Sequence, residues 1–139
     1  MPYRVDLARR RVDHDLAGVA EAARQGASLL YLVSPANPPG LALDAAAFTR
    51  FLTALPAHVT VIVDEAYVDY VVRPEALRAH TLVGAGDRRL VVLRSFSKLH
   101  GLAGLPVGYA LAAPPLARAL HAAGLPFAVH RLAEAAALA

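Results

Sequence analysis

A chain of 139 residues has the size of one ordinary domain, and with 57% apolar residues, 18% charged ones and a mean hydropathy of +0.44 it must bury its strands. The absence of cysteine excludes disulfides and thiolate metal sites, and no run approaches the roughly 18 unbroken apolar residues of a membrane span. The formal charge of +3 comes from scattered cations that do not alternate with aromatics, which argues against a nucleic-acid surface. The N-terminus has no apolar stretch behind its charges, so a cytoplasmic location is expected. His14, His58, His80, His100, His121 and His130 show no metal-ligand spacing and read as solvated or core residues.

In chain order, helical period is predicted over 13–25, opened by Asp13 and closed by Gly26. An apolar run, Leu29 to Val33, reads as a buried parallel strand and ends in the turn Ser34-Pro35-Ala36-Asn37-Pro38-Pro39-Gly40. Asparagine before proline in so tight a turn leads us to expect a cis Asn37–Pro38 bond. A second helix is predicted from Asp44 to Leu55, ended by Pro56, followed by a strand over 59–63 that runs into Asp64-Glu65-Ala66-Tyr67. The link from Tyr67 to Arg89 is irregular, with a short helix expected to start at Pro74 and close at Gly84 and Gly86. A third strand, 90–93, leads into Arg94-Ser95-Phe96-Ser97-Lys98, and a fourth run, 107–112, precedes Pro114 and Pro115. Helices are then expected over 116–123 and 127–138, the last running uncapped to the chain end, which hints at truncation. The βαβαβ alternation implies an α/β fold with a mostly parallel sheet.

Ligands of open α/β sheets sit beyond the carboxyl ends of the strands, where all three polar clusters fall. Lys98 is the only lysine among the 14 cationic residues, and Asn37 is the only asparagine. An amine forms an imine with an aldehyde and a guanidinium does not, so a lone lysine in an arginine-rich chain points to covalent chemistry. Ser95 and Ser97, spaced two apart, suit a phosphate on that aldehyde, although a solvated lysine in a serine-containing turn has the same local pattern. Asp64 closes an apolar strand, either as a cap for the next segment or as a working carboxylate.

The segments SPANPPG, VIVDEAYVDY and RSFSKLHGLAGLPVGY, in this order over roughly 29–109, resemble the signature of the class I and II aminotransferases, and within them the histidinol-phosphate aminotransferases most. The resemblance implies part of the large domain of a fold-type I enzyme: a three-layer α/β unit with a mostly parallel sheet whose fourth strand is antiparallel. It spans 1–139 here, without the family's N-terminal arm and C-terminal small domain. It also implies pyridoxal 5'-phosphate as cofactor, with Lys98 as the Schiff-base lysine and proton shuttle. Asp64 would face the pyridine nitrogen, Asn37 and Tyr67 the ring hydroxyl, and Ser95 and Ser97 the phosphate. The implied reaction is transamination between an amino acid or amino-alcohol phosphate and a 2-oxo acid, in a homodimer with no nucleic-acid or membrane partner. Alternatives are a related decarboxylase, or an inactive fragment or interaction module of the same descent. A generic nucleotide-binding domain lacks its glycine motif here. Pro106 stands where the family has a phosphate-binding arginine, and it offers neither charge nor an N–H.

Overall fold

The computed structural model describes residues 3–6, 11–83 and 89–139. A hairpin of β1 (Tyr3–Asp6) and β2 (Arg11–His14) opens the chain, with Arg4 paired to Asp13. This takes Asp13 out of the first helix, where it was expected. That helix, α1 (Leu16–Arg24), is capped by Asp15, whose carboxylate accepts from the Gly18 N–H at 3.1 Å. Its end is the expected one: Gly26 has φ 110, and the Ala27 N–H reaches the Ala22 carbonyl at 3.0 Å, a Schellman closure.

β3 (Leu29–Val33), β4 (Thr60–Asp64) and β5 (Leu90–Ser95) are parallel neighbours, as the alternation of runs implied, and β6 (Gly108–Ala112) joins β5 antiparallel, as the family resemblance implied. Leu32 pairs with Val63, Val63 with Val92, and Val92 with Leu111, so one sheet face carries a continuous aliphatic row. Helix α2 (Ala45–Ala54) lays Phe48, Phe51 and Leu52 on this row, with Val19 and Ala23 of α1 in the same core. Asp44 caps α2 through the Ala47 N–H at 2.7 Å, and Pro56 forces Leu55 into extended backbone with ψ 146. Strand β3 is not buried on both faces as its composition implied, because Leu29 and Tyr31 on the opposite face are 57% and 49% exposed.

No helix starts at Pro74. Residues 75–77 instead pair with 43–45: the Ala45 N–H donates to the Glu75 carbonyl at 2.9 Å, and the Leu77 N–H to the Leu43 carbonyl at 2.7 Å. Helical turns of 3-10 type form at Val68–Tyr70 and Ala79–Leu82, and the closure expected at Gly84 and Gly86 lies outside the described residues. Helix α3 (Pro114–Ala123) takes both prolines into its first turn, where their missing N–H groups cost nothing. The last helix, α4 (Arg131–Leu138), is shorter than the expected 127–138. Phe127, after Pro126, has φ 57 and is fully exposed, which breaks helical geometry, and the His130 ring caps the new start by accepting from the Leu132 N–H at 3.1 Å.

Candidate active site

The carboxyl ends of β3, β4 and β5 bring together most of the residues that the sequence singled out. After β3, the Asn37–Pro38 bond is cis as expected, and so is Ser34–Pro35. Gly40 turns the chain with φ 69, its N–H donating to the Ala36 carbonyl at 2.8 Å, while buried Ser34 accepts from the Leu43 N–H at 2.9 Å. The turn carries Asn37 to Tyr67, where its Nδ2 donates to the phenol oxygen at 3.2 Å. Lys98 Nζ lies 5.3 Å from the centre of the same Tyr67 ring. Three residues from three different strand ends thus form one group.

Asp64 forms the cap that the sequence allowed and a second contact that it did not suggest. Its Oδ1 accepts from the Ala66 N–H at 2.9 Å, a local cap, while Oδ2 accepts from the Tyr31 hydroxyl at 2.5 Å. Tyr31 was missed, and the only hint of it was one polar-tipped aromatic in an otherwise aliphatic strand. Its hydrogen bond to Asp64, then burial and the charge of that carboxylate, push the phenol pKa up to about 12. At the end of β5, the Ser95 hydroxyl accepts from the Ser97 N–H at 3.0 Å and so fixes the start of the lysine loop. The loop closes on itself, with Phe96 N–H donating to the Val107 carbonyl at 3.2 Å and Leu102 N–H to the Phe96 carbonyl at 3.1 Å. Phe96 stacks obliquely between His100 and Tyr109, and Pro106 is exposed at the loop exit.

Beneath these loops lies a second polar group that the sequence did not single out. Glu65, fully buried, accepts a short bond from the Ala79 N–H, and its Oε2 is 2.8 Å from His80 Nδ1 and 3.6 Å from Arg94 Nη1. Arg94 also donates from Nη2 to Asp69 Oδ1 at 2.6 Å. The network ties the segment after β4 to β5 and leaves no buried side-chain polar atom unpartnered among the described residues. A cleft of about 380 Å³ opens beside the group of three, lined by Asn37, Tyr67, Tyr70 and Arg73 among others. A larger one, about 680 Å³ between the hairpin and α2, touches none of the predicted site residues.

The family model described as aminotransferase class I and II matches residues 2–139. An aromatic amino acid aminotransferase of Nocardia farcinica is 46% identical over 91% of this chain and 36% of its own length. A histidinol-phosphate aminotransferase of Moorella thermoacetica is 42% identical over 94% of the chain and 34% of its own. The crystal structure of histidinol-phosphate aminotransferase from Sinorhizobium meliloti, in complex with pyridoxal-5'-phosphate, superposes with a TM-score of 0.80 at 35% identity, covering 88% of this chain and 33% of that one. The chain therefore spans about a third of the length of the curated relatives it matches.

Proposed function

The chain belongs to the class I and II aminotransferases, and from this we propose that residues 1–139 are part of the cofactor-binding large domain of a pyridoxal-phosphate-dependent transaminase. The observation that carries the proposal is the meeting of Asn37, Tyr67 and Lys98 at the ends of parallel strands, Lys98 being the only lysine in the chain. The donor set suits the cofactor: an amine for the aldehyde, a carboxylate for the ring nitrogen, an amide and a phenol for the ring hydroxyl, and two serines near the phosphate.

When bound, pyridoxal phosphate supplies an electron sink for the carbanion at the substrate α carbon. Lys98 Nζ would hold the cofactor through its aldehyde at rest and, once displaced by the substrate amine, would carry the proton from the substrate α carbon to the former aldehyde carbon. Asp64 would face the ring nitrogen and, as a carboxylate, favour a proton there. Asn37 and Tyr67, bonded to each other, would orient the ring through its hydroxyl. Substrates are read as an amino acid or amino-alcohol phosphate and a 2-oxo acid. We place the protein in the cytoplasm as a homodimer. No helix among the described residues is long and apolar enough to cross a membrane, and β3 and β6 leave sheet edges that a partner would cover. Titration with pyridoxal phosphate should produce a visible absorbance band that saturates at one equivalent. Absence of any saturable change would refute the proposal.

The phosphate end favours a second reading, a binding-poor or inactive descendant of the family. Pro106 brings no charge to the loop, and the nearby guanidinium of Arg94 is committed to Glu65 and Asp69. Pro106→Arg is therefore expected to tighten cofactor binding by about ten- to a hundredfold, since a charge-assisted contact contributes roughly 1.5 to 3 kcal/mol. Fluorescence titration measures this, and equal affinities would mean that the phosphate does not lie against this loop.

A further inference from the structure

Tyr31 stands two residues before Val33, and Val33 pairs with Asp64 across the β3–β4 ladder, so tyrosine and carboxylate share one sheet face. The face is open at this point: Tyr31 is half exposed, and burial alone does not hold its ring there. Its hydroxyl leans along the ladder to Asp64 Oδ2 at 2.5 Å, while Oδ1 is held by the Ala66 N–H. The carboxylate is thereby fixed at both oxygens. Each oxygen has about two lone-pair sites, so one remains free on each for a third donor.

We infer that Tyr31 is a positioning residue for the ring-nitrogen partner: its O–H, with the Ala66 N–H on the other oxygen, holds the Asp64 carboxylate aimed at the ring nitrogen. The inference rests on the proposed role of Asp64. A carboxylate anchored at both oxygens cannot rotate its remaining lone pairs away from a third donor, so its contact with the ring depends on the tyrosine as well as on the aspartate. The same hydrogen bond pushes the phenol pKa up, so the hydroxyl stays a donor to Asp64 at neutral pH.

The test compares the affinity of the chain for pyridoxal phosphate and for its 1-deaza analogue, in which C–H replaces the ring nitrogen. Wild type, Tyr31→Phe and Asp64→Asn are titrated by fluorescence. Wild type should prefer the natural cofactor, and Asp64→Asn should remove the preference. Tyr31→Phe should weaken pyridoxal phosphate by about tenfold, the size of one hydrogen bond to a charged group, and the analogue by less than about twofold. A packing role would weaken both ligands alike, and that result overturns the inference while leaving the assignment of Asp64 intact. A wild type without preference overturns both. Phenol titration of the cofactor-free chain gives an independent check: in Asp64→Asn one tyrosine should ionise nearer the ordinary value of about 10. If no tyrosine shifts, the contact is absent in solution and the inference fails.

Discussion

Replacement of Lys98 by alanine is expected to abolish borohydride fixation of pyridoxal phosphate, from one equivalent per chain to none. Borohydride reduces an imine to a stable secondary amine, so a label survives only where an amine had condensed with the aldehyde. The chain has two kinds of amine to offer, the Lys98 side chain and the terminal amino group, because the remaining 13 cationic residues are arginine. Lys98→Arg should fail equally, since it restores the charge over the Tyr67 ring but no imine chemistry. That pair of variants separates covalent capture from electrostatics. Intact-mass measurement after reduction, with peptide mapping, gives the result directly. A label at wild-type level in either variant, or mapped only to Met1, would exclude Lys98 as the attachment point.

Glu65→Ala should be the most damaging single change to stability, by about 3 kcal/mol or more, because removing one partner of a buried charged group leaves the others uncompensated. The Ala79 N–H and the His80 ring would each lose an acceptor, and Arg94, its side chain only 14% exposed, would keep Asp69 alone. Glu65→Gln retains the shape and one acceptor for Ala79, and should cost less than half as much. Urea denaturation monitors both, the midpoint falling while the slope is unchanged. Equal stability of wild type and Glu65→Ala would mean that Arg94 and Asp69 hold the segment after β4 without it.

Short motifs with strong local chemistry were readable from the sequence, whereas features set by partners distant in the chain were not. The bounds of β3 and α2 follow from a five-residue apolar run and from Asp44 and Pro56, which act within one turn of themselves. The convergence of Asn37, Tyr67 and Lys98 follows from their common place at strand ends. Asp13 was read as the start of the first helix, and its pairing with Arg4 in the hairpin moves the cap to Asp15. Pro74 looked like a helix start because the competing bridge to Asp44 comes from some 30 residues upstream. Phe127 belongs to an apolar run of helical appearance, yet its backbone is left-handed. Tyr31 and Arg94 were invisible as functional residues because their partners, Asp64 and Glu65, are contributed by β4 and the segment that follows it. The phosphate roles of Ser95 and Ser97 remain proposals, although the bond between them shows that the hydroxyl of the first is already shared.

Consecutive residues on β5 serve opposite sides of the sheet: Arg94 turns toward Glu65 and Asp69, and Ser95 begins the lysine loop. The frame cannot slip, because Ser95 is paired to Gly108, where any side-chain carbon would lie 2.6 Å from the Arg94 carbonyl oxygen. Surface connections can therefore change length one residue at a time without disturbing this pattern, whereas a change within β5 preserves it only in steps of two. An odd insertion would turn the guanidinium onto the face that carries Tyr31 and Asp64 and point a serine toward buried Glu65, so the side chains of this strand keep their partners only when its length changes by an even number.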